Sequence, residues 1–489
     1  MALRNTHKTI LRIGISVTVA LALSITYVLA DLSGVLPASM HVLQWQSARR
    51  ITLDPARQIM RTDTLITPNS HVALDATSAQ QLVDALVSSQ GVGRELSIAV
   101  ADDQGHIVAE HDVDTVREPA STAKTLTAFA ASQVLDMSDT LDTTLWLEGG
   151  ASSPQHLTQP VHVVLTGQGD MLLGAGQSDP DHINGRAGIA TLVNQAVQQL
   201  QQLGISQIQL QYDDSLFGTE RLPQGVASME DGLLYAAPLS SMAIDEGRNW
   251  QGLAKPANPD EVGAYAPSTA NSALQVAQAV ANQFAAAGIT VVDTVQSTSE
   301  PFDANASASS AMSVVRSAPL REILQFTLQN SDNTLAQLFA RLTALATHSG
   351  NSIASDITAV TTQLSQAGIN TRGLHLADCS GLSAGSTLTA RTLIDIEQRS
   401  TQTGPAQVVA RSLAVSGLSG TALHRSFSSS VAGQIHLKTG TLGNVTSMTG
   451  NVLRTHGGTL TFAVLVNNPE NMWEAMQAVD TFVGALAQL

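Results

Sequence analysis

Pro119-Ala120-Ser121-Thr122-Ala123-Lys124 opens a run, Ser121 to Met137, whose apolar residues recur at helical spacing. A proline just before such a run suits the first turn of a buried helix. Residues three apart on a helix share a face, so the Ser121 hydroxyl and the Lys124 amine can meet. A serine hydroxyl is a weak nucleophile until a neighbouring base takes its proton. Lysine becomes that base when burial or nearby cations lower its pKa. The helix N-terminus also favours developing negative charge. Lysine is scarce in this chain: the 489 residues contain Lys8, Lys124, Lys255 and Lys438.

Two further short motifs carry complementary chemistry. Ser331-Asp332-Asn333 offers a hydroxyl that can relay a proton and an amide that can hold a carbonyl. The same three residues are ideal composition for a helix N-cap, and both readings stand at this point. Lys438-Thr439-Gly440 ends an apolar strand, Gln434 to Thr439. A cation, a hydroxyl and a position without a side chain let a carboxylate-bearing chain lie along that strand edge.

Ser-x-x-Lys, Ser-x-Asn and Lys-Thr-Gly, in that order, form the set shared by penicillin-binding proteins and serine β-lactamases, and the sequence resembles that superfamily. Ser331 lies 210 positions after Ser121, far more than a compact β-lactamase needs. The chain is most similar to the D-alanyl-D-alanine carboxypeptidase/endopeptidase family, the class C low-molecular-mass penicillin-binding proteins with a long insertion. Further collinear pieces carry the likeness: Gly167-Gln168-Gly169-Asp170, Asp213 to Phe217, Ala237-Pro238-Leu239-Ser240 and Asp378-Cys379-Ser380-Gly381-Leu382-Ser383. Cys379 and Ala384 stand where that last loop usually carries glycine and arginine.

The resemblance implies an α+β fold: a transpeptidase-like domain with an antiparallel sheet and helices on both faces, plus a large mixed α/β insertion. It implies that Ser121 attacks the D-Ala-D-Ala carbonyl, Lys124 accepts its proton and Ser331 relays a proton to the leaving amine. Asn333 would hold the substrate amide, and Lys438 and Thr439 the terminal carboxylate beside Gly440. The backbone N–H groups of Ser121 and Thr441 would form the oxyanion hole. Peptidoglycan stem peptides are the implied substrate and β-lactams the implied inhibitors, with no metal or cofactor required.

Composition agrees with such a class. Forty acidic residues against 24 Lys and Arg give a net charge of −16, a poor default for binding nucleic acid. Cys379 is the single cysteine, which excludes an intramolecular disulfide framework and multi-cysteine metal sites. No lysine follows a glycine and no His is followed by Glu, so neither a Walker A loop nor a His-Glu-x-x-His zinc helix exists. Two competing functions have sequence support. Gly381-Leu382-Ser383-Ala384-Gly385 fits a nucleophile elbow, which would make Ser383 the nucleophile of an α/β-hydrolase-type esterase. A non-catalytic envelope scaffold is the other, opposed by the two motif lysines.

Arg4, Lys8 and Arg12 precede an uncharged run from Ile13 to Ala30. Basic residues before an apolar stretch fix that end in the cytoplasm, so the rest of the chain is expected to be exported. The run suits a signal peptide or a membrane anchor in the cytoplasmic membrane. Residues 31–75 read as a connector, 76–140 and 311–489 as the serine peptidase domain, and 141–310 as inserted material. Within these, the first helix (Ala76 to Ser88) has Thr77 or Ser78 as expected caps. Glu95 to Ala101 and His106 to Val113 suggest a hairpin, and Ile289 to Val295 one strand. Val445 to Arg454 and Thr459 to Val466 extend the final meander.

Overall fold

In a computed structural model of the chain, the described residues are 74–149, 160–229, 231–261, 266–306 and 309–489. The Ile13 to Ala30 run and most of the expected connector lie outside them. Among the described residues, no helix is long and apolar enough to cross a membrane.

The architecture rests on two large sheets. The first has six strands in the order Ala414–Val415, Ile435–Leu442, Val445–Leu453, Thr459–Asn467, Glu95–Ala101 and Ile107–His111. All its pairings are antiparallel, with Lys438 opposite Thr449, Gly440 opposite Ser447 and Ala99 opposite Ala463. Alternation sorts its side chains. Leu96, Ile98, Val100, Phe462 and Val464 face the helices Ala76–Val87 and Met472–Leu486, which supply Val83, Leu86, Val479, Phe482 and Val483. The opposite face carries Ala99, Ala101 and Ala463, and packs against Leu126 and Phe129 of Lys124–Val134 and Leu393 and Ile396 of Ala390–Thr401. Each large side chain buried this way contributes roughly 1.5–3 kcal/mol. Small residues on the second face let the nucleophile-bearing helix approach the sheet closely.

The second sheet runs Ser310–Arg316, Asp142–Leu147, Val161–Gly167, Gln207–Asp213 and Thr290–Val291. Its first three strands are antiparallel and the rest parallel. The parallel steps need crossovers, which are the helices Ile189–Gln202 and Ser272–Ala286. Val193, Leu200, Val280 and Phe284 from these helices bury Val163, Leu165, Ile208 and Leu210. A two-stranded parallel ribbon, Asp170–Leu173 with Met242–Ile244, lies beside both cores: Leu172 joins the first and Leu173 the second.

Several local expectations change. The first helix is capped by Asp75, whose carboxylate accepts from Thr77 N at 3.1 Å and from the Ser78 hydroxyl at 2.6 Å, so the expected caps are its donors. Ile289 to Val295 is not one strand. It is strand only at Thr290–Val291; Asp293, at φ 65°, interrupts it, and a second two-residue strand, Gln296–Ser297, begins just beyond the run. The α-helix after Pro119 starts at Lys124 and ends at Val134, and Ser121 sits on a preceding 3-10 turn, Ala120–Ala123. Strand Ser310–Arg316 pairs with Asp142–Leu147, so the position 310/311 falls within a strand of the second sheet.

Candidate active site

The 3-10 turn is held by contacts around Pro119. The Pro119 carbonyl accepts from the Thr122 hydroxyl at 2.7 Å and from the Ser447 hydroxyl at 2.6 Å. A Cβ on Gly440 would collide with Ser447 Oγ and lie 3.0 Å from Ser121 N. A Cβ on Gly381 would collide with the carbonyl of Ala120, itself at φ 47°. Two glycines therefore let a strand and a loop close on the backbone of Ser121.

Lys124 is 1% exposed. Its Nζ lies 2.9 Å from Ser121 Oγ, 2.6 Å from Asn333 Oδ1 and 2.7 Å from the Ser380 carbonyl. These acceptors match the three donors of an ammonium. Burial lowers the Lys124 pKa to about 8, against the opposing charges of Asp378 and Asp332. At pH 7 about a tenth of such a lysine is the neutral amine, which can accept the Ser121 proton.

Ser331 and Asn333 approach from the junction of two helices. Leu320–Asn330 ends at Ser331, which adopts the left-handed conformation at φ 58°. Asp332 then caps Asn333–Ala346, its Oδ1 accepting from Leu335 N at 2.9 Å. The capping reading and the site reading of this motif therefore describe the same corner. Asn333 Nδ2 donates to the Tyr235 carbonyl at 3.0 Å.

Lys438 is fully buried, with its Nζ 2.9 Å from Ser331 Oγ and 2.6 Å from the Thr439 carbonyl. Burial, and then the charge of Lys124, hold its pKa well below the usual lysine value. The Thr439 hydroxyl donates to Thr421 Oγ1 at 2.9 Å. Ala414–Val415 pairs only with Leu437 and His436, so among the described residues no strand covers Lys438 to Leu442 on that side. Thr441 is exposed there.

Ser121, Lys124 and Asn333 thus form one hydrogen-bonded group and Ser331 with Lys438 a second, the two meeting at the Ser331-Asp332-Asn333 corner, with Thr439, Gly440 and Thr441 along the strand of Lys438. Ser383 stands apart: its hydroxyl is buried and has no hydrogen-bond partner among the described residues. No strand precedes it, contrary to what a nucleophile elbow needs. Sequence reasoning gave Asp378 no role, yet its carboxylate organises the whole loop. It accepts from Ser380 N at 2.8 Å, Gly381 N at 2.6 Å and Ser383 N at 2.7 Å, which orients the Ser380 carbonyl toward Lys124. Cys379 is buried, its carbonyl accepting from Thr127 Oγ1 at 2.6 Å and its N–H donating to Gln337 Oε1 at 3.1 Å. The signal for Asp378 was available, since an acid heading a Ser-Gly turn commonly gathers its backbone N–H groups.

Comparison with known proteins gives the family and the fold. The D-Ala-D-Ala carboxypeptidase 3 (S13) family matches residues 79–268 and 252–489. A carboxypeptidase of Mycobacterium tuberculosis is 32% identical over 383 residues, 74% of each chain. Carboxypeptidase DacB of Mycolicibacterium smegmatis is 30% identical over 375 residues, 75% of each chain. In fold, the chain is similar to penicillin binding protein 4 of Haemophilus influenzae, with a TM-score of 0.64 at 18% identity, over 85% of this chain and all of that one. The chain belongs to the D-Ala-D-Ala carboxypeptidase 3 (S13) family and is a serine-type peptidase.

Proposed function

We propose that the chain removes the terminal D-alanine of peptidoglycan stem peptides through an acyl-enzyme on Ser121. Ser121 Oγ attacks the carbonyl carbon of the D-Ala-D-Ala bond, and its proton passes to neutral Lys124. The N–H groups of Ser121 and Thr441 receive the oxyanion, a contribution of about 3–4 kcal/mol per donor. The proton that Lys124 took from Ser121 is relayed through the Ser331 hydroxyl to the departing D-Ala amine, which returns Lys124 to the neutral amine and leaves Ser331 protonated. Asn333 holds the substrate amide. Lys438, with Thr439, takes the terminal carboxylate, and the open edge from Lys438 to Leu442 accepts the peptide as an added strand. Water then hydrolyses the ester and frees Ser121. The same acylation opens a cross-link when the leaving amine belongs to a neighbouring stem peptide.

The carrying observation is the Lys124 ammonium bonded at once to Ser121 and Asn333. Labelling by a fluorescent penicillin, with the modified residue mapped by mass spectrometry, tests it. Label on Ser121 is expected. Label on Ser383 or no label defeats the assignment, the latter in favour of a scaffold.

Peptidoglycan lies outside the cytoplasmic membrane, which places the enzyme's work there. The basic flank and the uncharged run from Ile13 support export and a tether or cleaved signal at residues 1–30. An intact N-terminus in the membrane fraction would mark an anchor, and a mature protein starting at Asp31 would mark cleavage. A peptidase domain formed by 76–140 and 311–489, with inserted material at 141–310, is supported by the separate strand sets of the two sheets, although strand Ser310–Arg316 of the second sheet crosses the later boundary.

A further inference from the structure

The corner Ser331-Asp332-Asn333 touches a turn from a distant part of the chain, Asp245-Glu246-Gly247-Arg248. That turn is unusual. Asp245, Glu246 and Gly247 have successive φ values of 50°, 55° and 71°, although left-handed backbone is uncommon for residues other than glycine. A Cβ at Gly247 would collide with Ser272 Oγ. Asp245 is locked by Asn184 Nδ2 at 2.7 Å, by the Trp250 indole N–H and by Lys255 Nζ at 3.4 Å. Glu246 is 3% exposed and Asp332 7% exposed. One guanidinium nitrogen of Arg248 serves both, 3.0 Å from Glu246 Oε1 and 3.5 Å from Asp332 Oδ2.

Asp332 divides its two oxygens. Oδ1 caps the helix that begins at Asn333, and Oδ2 faces Arg248. Its neighbours in sequence meet the two site lysines: Ser331 meets Lys438 and Asn333 meets Lys124. The carboxylate of Asp332 is also one of the two charges, with Asp378, that oppose the lowering of the Lys124 pKa. An arginine on Asp332 therefore acts on the site in two ways. It fixes the corner, and it offsets a negative charge that would otherwise favour protonated Lys124.

We infer that Arg248 is a positioning residue of the peptidase site, holding the Ser331-Asp332-Asn333 corner and counterbalancing the Asp332 carboxylate within it. The inference rests on the assignment of Lys124 as the proton acceptor of Ser121. It couples the turn after Met242–Ile244 to the acylation chemistry without touching substrate. Burial raises the Glu246 pKa to about 8, and the Arg248 guanidinium opposes that rise. The charges surrounding Arg248 and the corner are Glu246, Asp245, Lys255 and Asp332, with Lys124, Lys438 and Asp378 on the site side.

Removing a cation near a lysine raises the lysine's pKa, and removing an anion lowers it. In the full-length protein, Arg248→Met should therefore displace the acidic limb of the pH profile for penicillin acylation to higher pH. A displacement of half to one pH unit corresponds to roughly a 3–10-fold slower acylation at pH 7. Arg248→Lys should keep the limb near its original place. Adding Asp332→Asn to Arg248→Met should bring it back, because the residual anion is then gone. Arg248→Gln repeats the test with a polar side chain. A neutral variant that loses the same fraction of rate at every pH, or whose limb does not move, overturns the inference, as does failure of both neutral variants to fold. These outcomes separate from failure of the underlying reading, in which the unmutated protein would take no label on Ser121.

Discussion

The two site lysines beside the antiparallel sheet and Asp170 beside the mixed sheet are buried ionisable groups held in opposite ways. At the edge of the antiparallel sheet, Lys124 and Lys438 are as deeply buried as the core residue Phe462. Each has acceptors for its protons, three around Lys124 and two around Lys438. Beside the mixed sheet, Asp170 is 1% exposed, with one oxygen accepting from Leu172 N at 2.9 Å and the other without a partner. A buried charge held by neighbours is available for chemistry, whereas one left half-partnered mainly costs stability. The comparison predicts that substitutions at the first place change reactivity and those at the second change stability.

The largest effect separates two serines, the half-buried Ser121 and the buried Ser383. Ser121→Ala should abolish penicillin labelling while circular dichroism and the melting transition stay close to the parent. Ser383→Ala should label at the parental rate, because the Ser383 hydroxyl has no partner to lose. Label retained on Ser121→Ala, or lost on Ser383→Ala alone, would reverse the roles of these loops.

Lys438 sharpens the contrast within the antiparallel sheet. Its ammonium is desolvated and beside a second cation, so an arriving carboxylate gains more there than in water. Lys438→Ala should slow acylation by peptides with a free terminal carboxylate roughly 10–100-fold more than by their amides. That range corresponds to about 1.5–3 kcal/mol for a hydrogen bond to a charged group. Equal losses on acid and amide would mean that Lys438 acts only through Ser331.

What could be read in the sequence follows from how local each feature is. The hairpin Glu95–Ala101 with Ile107–His111 and the meander Ile435–Leu442, Val445–Leu453 and Thr459–Asn467 were legible because alternation and turn residues are local signals. The helix Asn333–Ala346 was legible from its apolar spacing and its cap. Scarcity helped at the site: with four lysines in the chain, two in ordered motifs carried weight. Other features had no local trace. The left-handed Asp293 that splits an apolar run is a backbone state that its residue type merely tolerates. The Tyr235 carbonyl on Asn333 is backbone and carries no residue-type signal. Arg248 reaches Asp332 across a large sequence separation, which no motif spacing records. Asp378 is the opposite case: an acid heading a Ser-Gly turn is a local signal for a hub of backbone N–H groups, and it went unused.

The smallest expected effect falls on Asp170 and concerns stability alone. Burial raises its pKa from 3.8 to about 7, against the single hydrogen bond from Leu172 N. Between about pH 4 and 7 the folded chain holds a proton that the unfolded chain has released, so this group makes stability fall as pH rises through that window. The cost is absent below the unfolded pKa and complete above about pH 7, where it approaches about 4 kcal/mol at 1.36 kcal/mol per pH unit. Asp170→Asn keeps an oxygen for Leu172 N and removes the charge, but it buries an amide N–H₂ where Oδ2 already lacks a partner. An unpaired buried donor costs about 1–3 kcal/mol, so the net gain should be about 1–3 kcal/mol above pH 7. The gain should vanish or change sign near pH 4, where both proteins are neutral at this position. Urea unfolding of parent and variant at pH 4.5 and pH 8 measures it, and the ionisation of Lys124 cancels in the difference because it is common to both. A gain of equal size at both pH values would show that Asp170 is not the titrating group and that the mixed sheet holds its buried acid as securely as the antiparallel sheet holds its lysines.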